Sequence, residues 1–336
     1  MPVHSTIASL HFDIHRTYCT AFEICDGDIV LQYINATSQP LNWTHSTEEI
    51  ITSSAMQEIE TILRPVKGTV RTLGIALPMH CLLAHHIPYS ATLTTDELRR
   101  IIRLEASSHL PTFDPSDFLV SIYPLYGFSS TPFTALAVLI PHTVTNVVEH
   151  IASLSQANIQ HCISTHAAAH NAFLHNYPEE RGHIALCSID SSCIDISIIR
   201  GTTLLHTSTA QLFPLSTAST PSCDNLLEEQ RIAVIAKSCS NALQQATDEI
   251  QASLDSAYFF GAGLTKALLD TLSTTLPTAA KRYNPLRQLR SGLSASVQRS
   301  ASRIAHMLVP NVGAILPEVF PGIILSSRVP QQRQVA

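Results

Sequence analysis

Apolar and polar residues alternate along the beginning of the chain in the way that β-strands require. The stretches 7–12, 20–24 and 29–34 are rich in β-branched and apolar residues. Asp26-Gly27 stands between the last two of these stretches, and this dipeptide is typical of a tight hairpin turn. The pattern predicts three consecutive strands, of which the last two form a hairpin.

The same plan returns in the second half of the chain. Stretches 184–189, 193–199 and 203–207 are strand-like, and the polar turns 190–192 and 200–201 separate them. A repeated order of strand, turn, strand, turn and strand indicates internal duplication. We therefore predict two related lobes, each a β-sheet covered by helices.

Between and after these repeats, the spacing of apolar residues predicts helices and further strands. Ser46 with Glu49, and Thr94 with Glu97, are capping boxes that mark two helix starts. The predicted helices span residues 46–63, 94–110, 144–157, 225–254, 264–272 and 297–315, and further strands span residues 71–77, 82–87, 118–125, 133–140 and 257–260.

Composition excludes several classes of protein. Of the 336 residues, 45% are hydrophobic and 14% are charged, which favours a folded globular protein over a disordered one. The formal net charge of -6 gives no reason to expect a nucleic-acid partner. No stretch approaches the ~20 apolar residues of a membrane-spanning helix, and the first residues lack a signal-peptide pattern. We expect a cytoplasmic protein whose eight cysteines are thiols.

Histidines 166 and 170 are four residues apart in a predicted helix, a spacing that can place two imidazoles on one face. No Asp or Glu lies inside that helix to act as a third ligand. We therefore predict a structural role for these histidines and no metal site.

Three segments of the chain form a specific series: Leu-Gly-Ile-Ala-Leu-Pro at 73–78, the helix and proline at 97–111, and Ser-Ile-Tyr at 121–123. In their order and spacing these segments resemble the PilM family of type IV pilus assembly proteins, within the actin-like ATPase superfamily. Residues 260–264, Phe-Gly-Ala-Gly-Leu, resemble the adenosine loop of the family, and residues 284–287 resemble its Asn-Pro-Phe element.

The resemblance implies a mixed α/β protein with the actin-like ATPase (ribonuclease H-like) fold. It implies a first lobe at residues 1–180 that contains a small α+β subdomain inserted at about 71–160. A second lobe with a reduced subdomain follows at 181–326, and we expect a disordered tail at 327–336.

The loops that grip phosphate in this family are degraded here. Glycines in such loops let backbone N–H groups approach a phosphate. At the first loop, Asp13 is kept, but His15 replaces the glycine and Thr20 stands where the family has lysine. At the second loop, either Ser188 replaces the carboxylate and Asp190 the glycine, or Asp190 is the carboxylate and Ser192 replaces the glycine.

We infer that a remnant of the nucleotide cleft is formed by Asp13, Thr17, Asp190, Ser191, Gly261 and Gly263. No catalytic residue, metal ligand or cofactor is predicted. A tight strand-to-helix turn is the structural alternative for the two glycines.

The resemblance implies a scaffold that binds the cytoplasmic peptide tail of a PilN-like inner-membrane protein and reaches the membrane only through that partner. One alternative is an active ATPase of the same assembly, with His15, Arg16 or Thr17 in place of the usual phosphate grip. The other is the cytoplasmic domain of a GspL-like type II secretion protein. Self-association is left open.

Overall fold

A computed structural model describes residues 5–25, 27–109, 117–126, 133–190, 192–212 and 228–319. The predicted tail at 327–336 lies outside the described residues. In chain order the described elements are β1 (Ser5–Phe12), β2 (Thr17–Cys25), β3 (Asp28–Ala36), α1 (Thr47–Ile51), α2 (Ser54–Leu63), β4 (Thr72–Leu77), β5 (Leu83–Pro88), α3 (Thr95–His109), β6 (Phe118–Leu125), β7 (Thr134–Pro141), α4 (His142–Ser155), β8 (Asn158–Ser164), α5 (Thr165–Asn176), β9 (His183–Ile189), β10 (Cys193–Arg200), β11 (Thr203–Gln211), α6 (Glu228–Ile250), β12 (Ser256–Phe260), α7 (Lys266–Thr275), β13 (Ala279–Arg282), β14 (Arg290–Ser291), α8 (Ala295–Ile304) and α9 (Val309–Val319).

Two of the sheets have the same plan. The first has the strand order β14-β3-β2-β1-β4-β8, and the second has the order β11-β10-β9-β12-β13. β1 pairs antiparallel with β2 and parallel with β4, and β9 pairs in the same way with β10 and β12. The matching topology confirms the prediction of two related lobes in a mixed α/β protein.

A third sheet, with the order β5-β7-β6, forms an inserted subdomain together with α3. Its central strand β7 alternates: Ala135, Ala137 and Leu139 share an apolar cluster with Ile102 of α3. The intervening residues Leu136, Val138 and Ile140 belong to the core of the first lobe. The central strand β7 is therefore buried on both faces, as the continuous apolar run 135–140 requires.

The boundaries predicted for the insertion, about 71–160, are too wide. β4 and β8, at the ends of that range, are strands of the first sheet and pair with each other. The separate sheet occupies only residues 83–141. Apolar periodicity shows where strands are but does not show which sheet they join.

The predicted second lobe, 181–326, also needs a correction, because the end of the chain returns to the first lobe. β14 pairs with β3, and α9 packs against α5, β1 and β4. Gly313 allows the close crossing of α9 and α5, since a Cβ there would lie 1.8 Å from the carbonyl oxygen of Ala168. The second sheet ends with β13.

Two long helices of the prediction are interrupted. The region 46–63 forms α1 and α2, because the Ser53 side chain accepts a hydrogen bond from Met56 N and begins a second helix. The region 297–315 contains α8, a 3₁₀ turn at Ala305–Met307, and α9. Within the described residues, no helix combines the length and apolarity needed to cross a membrane.

Candidate ligand cleft between the lobes

The turn between β1 and β2 faces the turn between β9 and β10 across a cleft between the lobes. The cleft encloses about 190 Å³. Both turns, the end of β4, the start of α5 and the turn after β12 contribute to its lining: His11, Phe12, Asp13, Ile14, Pro78, Met79, His80, Thr165, Ser188, Asp190, Ser192, Cys193, Asp195, Phe260, Gly261, Met307 and Pro310.

The first turn is closed by its own hydrogen bonds. Asp13 N donates to Arg16 O at 2.9 Å, and His15 N donates to Asp13 Oδ1 at the same distance. The Asp13 carboxylate is buried and already accepts a backbone N–H of its own turn. A side-chain-closed turn of this kind differs from a glycine loop whose N–H groups are free for a phosphate.

Asp190 begins the second turn, where its N–H donates to Cys193 O at 3.0 Å. Its Oδ1 is buried without a hydrogen-bond partner among the described residues. Burial, followed by repulsion from Asp13 and Asp195, raises the pKa of Asp190 to about 7. The second turn therefore carries a carboxyl group that is partly protonated near neutral pH.

Asp195 is a third carboxylate of the cleft, which our sequence analysis missed. It accepts a hydrogen bond from Thr209 Oγ1 at 2.6 Å and lies 3.9 Å from His166 Nε2. The signal was available: Cys193, Asp195 and Ser197 alternate with three isoleucines along β10. The isoleucines pack in the second-lobe core, so the polar residues point the other way.

The predicted structural role of His166 and His170 agrees with their surroundings. His166 Nδ1 lies 2.7 Å from Ser197 Oγ, and His170 Nε2 lies 3.2 Å from Gly201 O. Burial lowers the pKa of both imidazoles. Among the described residues, no group of three His, Cys, Asp or Glu side chains is arranged to hold a metal ion.

The two glycines of the turn after β12 are required by close packing on β9. Gly261 has φ +98, and a Cβ there would lie 2.5 Å from Ile189 O. Gly263 N donates to Ile189 O at 2.9 Å, and a Cβ on Gly263 would also meet Ile189 and Asp190. This packing accounts for the Gly-Ala-Gly sequence without a ligand, as the structural alternative proposed.

Of the predicted cleft residues, Asp13, Asp190 and Gly261 line one cavity. Thr17 lies buried in β2, where its N–H donates to Thr37 Oγ1 at 2.8 Å, outside the lining. Gly263 is not among the lining residues, and Ser191 lies outside the described residues. The lining carries three aspartates and, among the described residues, no lysine or arginine.

Comparison with known proteins gives a fold. A PilM protein, solved in the PilM–PilN type IV pilus biogenesis complex, superposes with a TM-score of 0.70 at 14% identity, covering 93% of this chain and 98% of that one. The chain has the fold of that PilM protein, which confirms the predicted actin-like ATPase fold.

More distant structures match with lower scores. A Bacteroides thetaiotaomicron protein of unknown function with the actin-like ATPase fold is 10% identical, with a TM-score of 0.46 over 84% of this chain and 95% of that one. The cytoplasmic domain of EpsL, from the type II secretion system of Vibrio cholerae, is 9% identical, with a TM-score of 0.45 over 84% and 98%. No protein-family model and no curated protein matches the chain.

Proposed function

We propose that this chain is a cytoplasmic scaffold of a type IV pilus or related assembly machine, and that it binds the peptide tail of a PilN-like inner-membrane protein without hydrolysing ATP. The PilM protein with the same fold is found in a complex with PilN. The observation that carries the proposal is the contrast between an acidic cleft, whose first turn is closed by its own hydrogen bonds, and an inserted subdomain with exposed apolar side chains.

The inserted subdomain has apolar side chains available on its surface. Val120 on the edge strand β6 is 37% exposed, and Phe133, just before β7, is 66% exposed. An extended peptide adds to such a sheet edge or groove through main-chain hydrogen bonds and apolar pockets. The subdomain also contacts both lobes, because Tyr126 N donates to Leu204 O at 3.1 Å. A peptide bound here would lie on a subdomain that packs against both lobes.

The cleft argues against ATP hydrolysis. Mg-ATP carries several negative charges, and its phosphates need N–H groups or cations that stabilise the transferred group. Among the described residues, the cleft lining has three aspartates and no lysine or arginine. The volume of the cleft, about 190 Å³, is below the ~300 Å³ of ordinary ligand pockets. Asp190 is buried near Asp13 and Asp195, and in either alignment of the second turn its ionised carboxylate would repel a phosphate. These residues do not fit the nucleotide.

Peptide binding is tested with a synthetic tail of the PilN-like protein from the same cell, titrated against the full chain. We expect saturable binding that Val120→Ser weakens by about fivefold, since a buried apolar contact is lost. Val234→Ser on α6 is the matched control, because Val234 is 38% exposed and lies on the second lobe. The proposal would be rejected if no binding were detected at peptide concentrations of ~100 µM. It would also be rejected if both variants lost the same amount of affinity.

The absence of ATP hydrolysis is tested separately by calorimetry with Mg-ATP and by phosphate release. We expect neither saturable heat nor turnover. A saturable heat that Asp13→Asn abolishes would favour the alternative of a working ATPase.

A further inference from the structure

A second cavity lies between the lobes, on the side of the chain's C-terminal segments, and its charge is opposite to that of the cleft. It encloses about 300 Å³ between β3, β13, β14 and α8. The lining residues are Leu31, Arg282, Tyr283, Asn284, Leu286, Leu289, Arg290, Ser291, Leu293, Gln298, Ala301, Ser302, Ala305 and His306, with no carboxylate among them.

The surrounding sequence is unusual for an acidic protein. From residue 271 to residue 317 there is no Asp or Glu, while six Lys or Arg side chains occur in that stretch. Three of the six are neutralised by carboxylates from elsewhere: Lys281 by Glu180, Arg287 by Glu179 and Arg290 by Asp28. Among the described residues, Arg282, Arg299 and Arg303 have no such partner.

Arg282 is held in the cavity by a neutral group. One of its guanidinium nitrogens lies 2.9 Å from Nδ1 of His306, a buried imidazole. Burial and the nearby Arg282 lower the pKa of His306 to about 4, so the ring is neutral at physiological pH. His306 therefore orients the guanidinium without cancelling its charge, and the other N–H groups of Arg282 are available to an anion.

Neutral donors and apolar groups complete the lining. Asn284, Gln298 and Ser302 can hydrogen-bond anionic oxygens, and four leucines line the remaining wall. The volume is at the lower limit of small-molecule sites, which are typically ~300 Å³ or larger. Arginine, whose guanidinium group carries five N–H donors, is the side chain best suited to bind phosphate, and Arg282 uses one of its nitrogens for His306.

We propose that this cavity, called the basic cavity below, binds a phosphate-bearing ligand, with Arg282 as the residue that contacts the phosphate. The phosphate belongs either to a soluble phosphate ester or to the headgroup of an anionic lipid. Both sources offer the same oxygens to Arg282, so the experiment has an arm for each.

The experiment measures binding of inorganic phosphate to the full chain by calorimetry at low ionic strength, and co-sedimentation with phosphatidylglycerol vesicles against phosphatidylcholine vesicles. We expect saturable binding in at least one arm, and Arg282→Gln to weaken it about tenfold by removing a charged bidentate contact. Binding in the phosphate arm identifies a soluble ligand, and binding only to phosphatidylglycerol identifies a headgroup.

Two control variants separate binding from folding. Arg303→Gln removes an exposed charge that does not line the cavity, and we expect affinity within about twofold of wild type. Arg290→Gln, which removes a lining charge already paired with Asp28, should have an intermediate effect. If Arg282→Gln does not fold, Ser302→Glu on exposed α8 introduces a carboxylate into the cavity and should weaken binding at least as much.

No binding in either arm, or equal affinity in wild type and a folded Arg282→Gln or Ser302→Glu variant, would overturn the proposal. A purely structural role of Arg282 would lower the stability of the variant while leaving phosphate affinity unchanged.

Discussion

The interlobe cleft and the basic cavity lie between the same two lobes, yet they carry opposite charge. Three aspartates line the cleft, and one of them has its pKa raised to about 7. The basic cavity has two arginines and no carboxylate. An anion is repelled from the first and attracted to the second. The comparison teaches that two cavities between the same lobes can differ in charge, and the phosphate ligand proposed above is assigned to the basic cavity for that reason.

The two regions also differ in what closes them. In the cleft, backbone groups bond to each other, as between Asp13 and Arg16 and between Gly263 and Ile189. In the basic cavity, polar side chains of α8 and of the segment after β13 line the wall. The following predictions test this difference, from the largest expected effect to the smallest.

The largest effect is expected at the glycine turn of the cleft. Gly261→Ala should destabilise the fold by about 2–4 kcal/mol, because the new Cβ clashes with Ile189 O and the positive φ disfavours a side chain. Gly201→Ala is the control: Gly201 also has a positive φ, but no atom would lie within 4 Å of its Cβ. We expect about 1–2 kcal/mol there, measured by urea denaturation. Equal losses would mean that packing on β9 is not what requires Gly261.

The next effect concerns the charge of the cleft. Asp190→Asn should stabilise the protein by about 1–3 kcal/mol at pH 8, where the buried carboxylate is ionised. Because the folded-state pKa is raised, ionisation disfavours the folded state, and wild-type stability falls as pH rises from about 4 to about 7. The gain from the substitution should therefore shrink as pH falls and be absent near pH ~4.

Denaturation curves at several pH values check this prediction. Asp270→Asn, at an exposed position on α7, is the control and should change stability by less than ~0.5 kcal/mol. A gain that is constant with pH would contradict the assignment of Asp190 as a buried, repelled carboxyl group.

The smallest effect is expected at His306 in the basic cavity. Its pKa is lowered to about 4, so below pH ~6.5 the unfolded chain takes up a proton that the folded chain does not. The folded state therefore keeps its full stability above pH ~6.5 and loses stability as pH falls toward 4, because proton uptake then favours the unfolded chain. His306→Asn, which keeps an acceptor for Arg282, should reduce the acid-induced loss by about 1–2 kcal/mol.

The measurement is the free energy of unfolding of wild type and variant at pH 7.5, 6 and 5. These pH values lie within the range of about 5 to 8 in which proteins are usually most stable. His45→Asn, at an exposed position, should follow the wild-type curve. Parallel curves for wild type and His306→Asn would show that His306 does not stay neutral in the folded protein.

Most elements of the fold were predictable from local patterns, and their assembly was less so. The strand–turn–strand repeats near residues 10 and 185 do form matching sheets. The same patterns misplaced β4 and β8 in the insertion and the C-terminal helix in the second lobe. Strand pairing and the return of α9 to β1 depend on contacts distant in sequence, which periodicity does not record.

The candidate site was predicted in part for the same reason. Asp13, Asp190 and Gly261 line one cavity as expected, because each directly follows a strand and begins the turn after it. Asp195 was missed because it lies inside a strand, although its alternation with isoleucines was visible. The basic cavity was not foreseen, because Arg282, Arg290 and Ser302 come from three elements that only packing brings together.

The sequence by itself determined the duplicated lobes, the resemblance to PilM proteins and the absence of glycine from the turns at 13–16 and 190–192, because turn chemistry and apolar alternation are local properties. Only the tertiary structure decided that three aspartates line one cleft, and that the backbone of Ile189 packs so closely on residue 261 that it must be glycine. It also decided that an acid-free stretch of chain closes over a second cavity. Charge and close packing act through space, so the residues that set them need not be neighbours in sequence.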